Sequence, residues 1–172
     1  LIHNPEEIQR LKNDYNVDVA QNLLDALDGD TVIIRTHGVT QETLHSLEQS
    51  NKNIVNATCP FVTKPQEICA NMSNKGYDIV IYGDIHHPEV QGVMSYSVTK
   101  TAVVLSSYEL CKHRLGQKVA IISQTTRNIE GFLEIVNALV RQHKEVAVFN
   151  TICNATFDNQ DAADELSKEA DV

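Results

Sequence analysis

Short runs of valine and isoleucine alternate with helix-length segments along this chain. The six runs are TVIIRT from Thr31, NIVNAT from Asn53, DIVIYG from Asp78, TAVVLS from Thr101, KVAIIS from Lys118 and EVAVFN from Glu145. Continuous apolar runs of this length are typical of parallel strands that are buried on both faces. Their alternation with helices predicts an α/β fold with parallel sheets and right-handed crossovers.

Helix signals lie between these runs. Asn4 followed by Pro5, and Thr40 before Gln41, are N-cap patterns, and Gly76 closes the third helix. Helices are therefore predicted over residues 5–15, 41–50, 61–75, 88–95, 107–113, 127–143 and 159–170. Pro65 falls inside the third of these, where it is expected to shift the helix start or kink the axis.

Composition narrows the class of protein. A chain of 172 residues can bury a real core. Its 14 basic and 23 acidic residues give a formal charge of -9, which argues against a nucleic-acid surface. No apolar stretch approaches the length of a membrane span, and the N-terminus lacks the pattern of a signal peptide. We expect a cytoplasmic protein without a membrane partner.

Because the chain starts at Leu1 and stops at Val172, directly after a helix-like segment, we also expect a fragment of a longer protein.

Two of the four cysteines stand out by position. Cys59 and Cys153 each come just after a predicted strand, where α/β folds build their active sites. Cys69 and Cys111 fall in helical segments and are interpreted as ordinary small apolar residues. In the cytoplasm cysteines act more often as ligands or nucleophiles than as disulfide partners, although a bridge between Cys59 and Cys153 remains open.

Polar residues follow the other strands as well. The carboxyl ends of parallel strands share one edge of a sheet, so these residues could converge on one cavity. In chain order they are His37; His86, His87 and Glu89; Gln124, Thr125 and Thr126; and Thr151.

Each group also has a purely structural interpretation. His37 before Gly38 could occupy a tight turn, and Cys59 before Pro60 is a helix start. The segment HHPE suits a helix N-terminus, and QTT could cap the helix that follows it. His45, His113 and His143 are predicted to be solvated on helix faces. The functional hypothesis depends on several such groups falling on one edge of one fold.

Five segments together resemble a known family. RTHGVT, NATCPFVTK, HHPEV, SQTT and ICNATFDNQ are similar in order and separation to signature segments of the 4-hydroxy-3-methylbut-2-enyl diphosphate reductases. That family comprises iron–sulfur enzymes of the non-mevalonate isoprenoid pathway, where they catalyse the last step. The resemblance extends over essentially the whole chain. It implies an oxidoreductase that removes an allylic hydroxyl to give isopentenyl and dimethylallyl diphosphate.

The resemblance also implies roles for particular residues. Cys59 and Cys153 match two of the three cysteines that hold the family's 4Fe-4S cluster, and the first cysteine has no counterpart in this chain. The substrate-binding histidines fall on His3, His37 and His87. Glu89 matches the proton-delivering glutamate and Thr125 the active-site threonine, which serves both catalysis and substrate binding. The C-terminal phosphate-binding segment of the family is absent too, so the chain on its own is expected to be inactive.

The chemistry agrees with these residue types. A cluster held by three cysteines supplies single electrons and an iron open to the substrate oxygen, and soft thiolates are its usual ligands. An acid must provide protons to release the hydroxyl as water. A neighbouring diphosphate favours the charged form of an imidazole, so three histidines suit the substrate without a lysine cluster. An electron donor such as ferredoxin or flavodoxin is the implied partner.

For the fold, these considerations predict small parallel-sheet βα domains repeated around a central iron–sulfur site. Residues 1–59 would be the C-terminal part of a first α/β domain, residues 60–148 a complete second one, and residues 149–172 the start of a third.

Two other classes of function stay open. A zinc hydrolase or deaminase could use Cys59, Cys153 and His87 as ligands, with Glu89 as its acid or base, since HPE fits the H-x-E pattern. The C-x-x-C pair that deaminases place after that pattern is absent. A non-catalytic α/β domain with oxidant-sensing thiols would need no histidine cluster.

Overall fold

The computed structural model describes residues 4–20, 22–28 and 30–170. Eight helices and six strands are found in these ranges. The helices are α1 (Pro5–Tyr15), α2 (Leu23–Asp28), α3 (Gln41–Glu48), α4 (Pro60–Asn74), α5 (Pro88–Met94), α6 (Ser107–Leu110), α7 (Ile129–Gln142) and α8 (Asn154–Glu169). The strands are β1 (Thr31–Ile34), β2 (Asn53–Asn56), β3 (Asp78–Tyr82), β4 (Thr101–Val104), β5 (Lys118–Ser123) and β6 (Glu145–Val148).

All six predicted strands are confirmed, and the helix predictions differ mainly at the ends. The six residues of α2 were not predicted, because so short a segment offers no full period of apolar residues. Helix α8 begins at Asn154 rather than at residue 159, since Cys153 occupies its N-cap. Helix α4 starts at Pro60 and runs past the buried Pro65, so the proline does not delay its start.

The strands form two parallel sheets. One consists of β1 and β2 alone, and the other has four strands in the order β4-β3-β5-β6. Cys59 and Pro60 lie between the two sheets in the sequence. This arrangement is compatible with the division at residues 59–60 and 148–149, although the domain boundaries themselves stay a prediction.

Alternate residues of the four-stranded sheet face two separate cores. Ile79, Ile81 and Ile122 pack with Cys69 of α4 and Val90 of α5. The neighbouring strand residues point the other way, into a core with α6 and α7 formed by Val80, Tyr82, Val119, Ile121, Phe132, Ile135 and Leu139. Helices on both faces explain why the strands are apolar throughout rather than alternating.

The strand order places a switch point between β3 and β5. From β3 the chain passes through α5 to β4 on one side, whereas from β5 it passes through α7 to β6 on the other. The loops after β3 and β5 therefore diverge and leave a crevice at the carboxyl edge, the usual binding position in such sheets. The loop after β3 contains His86 and His87 and leads into Glu89 of α5, and the loop after β5 contains QTT.

No helix in the described ranges is both long and apolar enough to cross a membrane.

Candidate active site

Glu89 and Thr125 meet across the crevice between β3 and β5. The Glu89 side chain is only 2% exposed, and Thr125 is 6% exposed. The backbone N–H of Thr125 donates to Oε1 of Glu89 at 2.7 Å, and the Thr125 hydroxyl donates to Oε2 at 2.8 Å. A carboxyl group this deeply buried requires such partners, because an unpaired polar group is costly away from water.

The side chain of Gln124 links the loop after β5 to the loop after β3 by a hydrogen bond. Its side-chain oxygen accepts a hydrogen bond from the Asp84 N–H at 3.0 Å, and its amide donates to the Thr126 hydroxyl at 3.1 Å. The alternative that QTT caps the following helix is wrong. Asn128 is the N-cap of α7, and its side chain accepts a hydrogen bond from the Gly131 N–H at 2.8 Å.

His87 stands at the N-cap of α5, directly before the segment with Glu89. Its Nδ1 accepts a hydrogen bond from the Glu89 N–H at 3.2 Å. Since Nδ1 is an acceptor, the ring proton of the neutral imidazole lies on Nε2 and can be donated to a ligand. The preceding His86 is exposed, and its backbone N–H donates to the Asp84 carboxylate at 2.9 Å. His86 therefore helps to shape the loop, whereas His87 and Glu89 belong to the candidate site.

His37 lies against His87 although the two come from different sheets. Their ring centroids are 5.3 Å apart with an interplanar angle of 70°. His37 occupies a turn after β1, which is closed by a 2.9 Å hydrogen bond from the Gly38 N–H to the Arg35 carbonyl. The turn interpretation of His37 is confirmed, whereas its role in a site stays a prediction.

Cys59 and Cys153 occupy equivalent positions at the N-caps of α4 and α8. Both are half-buried and unbridged, and neither side chain accepts a capping hydrogen bond. The Cys59 N–H donates to the Thr36 carbonyl at 3.0 Å, next to His37, and the Cys153 N–H donates to the Thr125 carbonyl at 2.8 Å. Backbone contacts therefore attach Cys59 to the turn that carries His37, and Cys153 to Thr125, the partner of the Glu89 carboxyl group.

The remaining cysteines differ from each other. Cys69 is fully buried in the core between α4, α5 and the sheet, and this burial raises the pKa of its thiol to about 11. Cys111 is exposed and follows the last residue of α6, so the prediction that it is an ordinary apolar residue of a helical segment is wrong. Neither cysteine stands at the carboxyl edge of a strand.

Two thiols at helix N-termini suit an electron-rich metal cluster as a donor set. Thiolates are soft ligands, and the partial positive charge of a helix N-terminus stabilises negative charge. Within the described ranges, however, no three His, Cys, Asp or Glu side chains are grouped so as to hold a single metal ion. Cys59 and Cys153 thus have the donor chemistry of cluster ligands, and they are not grouped with His87 as a site for a single metal ion.

Other predicted residues have structural roles or lie elsewhere. Thr151 is buried, and its hydroxyl pairs with the backbone of Ser123 on β5 at 2.6 and 2.8 Å. His45 and His113 are exposed as predicted, whereas His143 is half-buried and its Nδ1 lies 2.7 Å from the Gly116 carbonyl oxygen. His3 lies outside the described residues.

Sequence analysis missed Gln66, a buried polar residue of α4 whose amide lies close to Gly38 and Gly92. The helical spacing of the sequence could have identified this residue. Val62 and Cys69 define the apolar face of α4, and Gln66 falls at the helical spacing between them. A glutamine in that position is either paired in the core or part of a site.

The sequence of this chain is similar to one family model and to known reductases. The family model described as LytB protein matches residues 1–172. A 4-hydroxy-3-methylbut-2-enyl diphosphate reductase of Wolinella succinogenes is 56% identical over the whole chain, and one of Campylobacter concisus is 54% identical. The chain covers 62% and 63% of these relatives, so it spans less than two thirds of their length.

Solved structures agree in fold. The structure of an (E)-4-hydroxy-3-methyl-but-2-enyl diphosphate reductase, described as the terminal enzyme of the non-mevalonate pathway, is 36% identical with a TM-score of 0.77. It is matched over 98% of this chain and 60% of that one. A reductase structure from Plasmodium falciparum has a TM-score of 0.85 at 23% identity, which shows the fold alone.

Proposed function

The chain belongs to the LytB protein family, and from that premise we propose that the complete protein is an oxidoreductase of isoprenoid biosynthesis. Its substrate would be 4-hydroxy-3-methylbut-2-enyl diphosphate and its products isopentenyl and dimethylallyl diphosphate. The observation that carries the proposal is the buried Glu89 carboxyl group, which is held by Thr125 beside the paired rings of His37 and His87. A proton donor next to an anion site is what loss of a hydroxyl from a diphosphate ester requires.

The two imidazoles form the proposed diphosphate site. His87 presents Nε2 because its Nδ1 is occupied by the Glu89 N–H. A bound dianion favours the charged form of both rings, which then act as charge-assisted donors. His3 is proposed as the third histidine of this site from the family resemblance. The site needs no lysine, which agrees with the acidic composition of the chain.

Glu89 and Thr125 form the proposed proton path. In the structure the Thr125 hydroxyl donates to Glu89 across 2.8 Å. When Glu89 carries a proton this bond reverses, and the carboxyl O–H passes its proton to the Thr125 oxygen while the hydroxyl releases its own proton towards the substrate. The second bond, from the Thr125 N–H at 2.7 Å, keeps the carboxyl group oriented during the exchange. Burial of both residues shields this step from competing water.

Cys59 and Cys153 are the proposed ligands of a 4Fe-4S cluster. When bound, such a cluster supplies electrons one at a time and an iron site for the substrate oxygen. The third thiolate would come from the part of the complete protein that this chain does not contain. A ferredoxin or flavodoxin would reduce the cluster, and we propose a cytoplasmic location.

The cluster can be tested on the complete protein purified without oxygen. We expect iron, acid-labile sulfide and broad visible absorption in the wild type and in C111S. The variants C59S and C153S should lose most of the iron and sulfide. Absence of iron from the wild type would contradict the proposal. Stoichiometric zinc with hydrolytic activity would favour the zinc enzyme instead.

A further inference from the structure

Gln66 is a largely buried polar side chain whose amide forms no hydrogen bond with another described residue, although its polar atoms are not fully sealed from solvent. It is only 7% exposed. Its neighbours on the same face of α4 include Val62 and Cys69, which belong to the core. An amide at the edge of the core gives up much of its contact with water, and an apolar residue of the same size would pack there at lower cost. Packing alone therefore does not account for this amide.

The Gln66 amide lies between the two backbone segments that carry the site. A Cβ on Gly38 would come 3.1 Å from Nε2 of Gln66, and one on Gly92 would come 3.5 Å from the same atom. Gly38 follows His37 in its turn. Gly92 is three residues after Glu89 in α5, so it lies on nearly the same side of that helix. The missing side chains at both glycines make room for the amide between these two segments.

An amide NH₂ group in this position suits an anion. It is a neutral donor, so next to the segments that carry His37 and His87 it can add a hydrogen bond to a bound anion without repelling the charged rings. Hydrogen bonds to charged groups are the stronger ones, and they gain further strength in a buried site.

We propose that Gln66 is a binding residue of the anion site, whose NH₂ group donates to the bound diphosphate directly or through one ordered water. The inference rests on the proposed function, because it takes His37 and His87 to be the diphosphate ligands. It adds a donor from α4 to the histidine donors of the site.

The test compares two methionine variants of the complete protein. Q66M keeps the length of the side chain and removes the amide, and Q91M makes the same change at an exposed position of α5. Affinity for inorganic diphosphate is measured by calorimetry, and Tm is measured without ligand. We expect Q66M to bind about tenfold more weakly, with a Tm equal to or above that of the wild type. Q91M should match the wild type in both.

A glutamate variant and steady-state kinetics provide two further tests of Gln66 as a hydrogen-bond donor. Q66E keeps the shape but replaces the donor with negative charge, so it should bind diphosphate more weakly than Q66M does. In turnover of the allylic diphosphate, Q66M should raise KM with little change in kcat, because the lost contact is present before and during the reaction.

The outcomes separate the two proposals. If the wild type binds diphosphate and Q66M binds it equally well, the role of Gln66 is wrong while the proposed function stands. A Q66M variant with lower Tm and unchanged affinity would show that Gln66 is structural. If the wild type does not bind diphosphate, both proposals are overturned.

Discussion

Thr125 holds the buried carboxyl group of Glu89 through two different donors, its backbone N–H at 2.7 Å and its hydroxyl at 2.8 Å. The two bonds have separable roles. The N–H bond is fixed by the backbone and orients the carboxyl group, whereas the hydroxyl bond can conduct a proton. Because substitution of the side chain removes only the second bond, the pair lends itself to a direct test.

Replacement of Thr125 by valine should abolish proton transfer and leave the fold intact. The T125V variant keeps the shape and the N–H bond but leaves Oε2 of Glu89 without the hydroxyl donor. We expect the free energy of unfolding to fall by about 1–3 kcal/mol and turnover to be largely lost. Chemical denaturation and product analysis would measure the two effects. T125S restores the hydroxyl and should recover most of both, so a fully active T125V would refute the relay.

A substitution at Gly38 tests whether the position of His37 matters for diphosphate binding. Gly38 has φ +70, and a Cβ there would meet Gln66 at 3.1 Å and Thr58 at 3.2 Å. G38A should therefore strain the turn, move His37 away from His87 and weaken diphosphate binding. Calorimetric titration with inorganic diphosphate would measure the loss.

Gly76 provides the matched control for that variant. It has φ +81, and apart from Gly76 and its two neighbours in the chain no described residue comes within 4 Å of the position that a Cβ would take, so G76A imposes only the backbone cost. Both variants should lose about 1–2 kcal/mol of stability from the left-handed conformation, but only G38A should lose affinity. Equal affinity in the two variants would show that the His37 turn does not matter for binding.

Much of this arrangement could be predicted from local sequence. The strands were recognisable because each is a short run of β-branched residues between helix signals, and parallel order then put the loops after β3 and β5 on one edge. The position of Glu89 followed from its place in the first turn after His87. These features depend on the local periodicity and on general rules for parallel sheets.

The other features of the candidate site could not be predicted from local sequence, because they depend on long-range packing. Nothing local indicates that His37, from the two-stranded sheet, approaches His87 to 5.3 Å between ring centroids. Likewise, Gln66 looks like one polar residue on a helix until α4 is packed against α5. The capping role assigned to QTT failed because Gln124 bonds across to Asp84, 40 residues earlier. Such contacts require the three-dimensional order of the strands.

Cys69 should be the least reactive thiol of the chain. Burial raises the pKa of its thiol to about 11, and the thiolate is the reactive form. At pH 8 in the native protein, iodoacetamide should label the exposed Cys111 readily and leave Cys69 unmodified, as read by peptide mass spectrometry. The same treatment in denaturant should label both. Rapid native labelling of Cys69 would contradict its burial.

The central claim is that Glu89 supplies the proton for loss of the substrate hydroxyl, and E89Q tests it most directly. Glutamine retains an oxygen acceptor for the Thr125 N–H but carries no acidic proton. E67Q, the same change at an exposed position of α4, serves as the control. Both variants of the complete protein would be purified without oxygen, loaded with cluster and assayed with reduced donor.

The decisive measurement is the rate of isopentenyl and dimethylallyl diphosphate formation from 4-hydroxy-3-methylbut-2-enyl diphosphate. For E89Q we predict a kcat about 10²–10⁴-fold below the wild type, with iron content and diphosphate affinity preserved and with E67Q fully active. An E89Q protein that forms product at the wild-type rate would contradict the account.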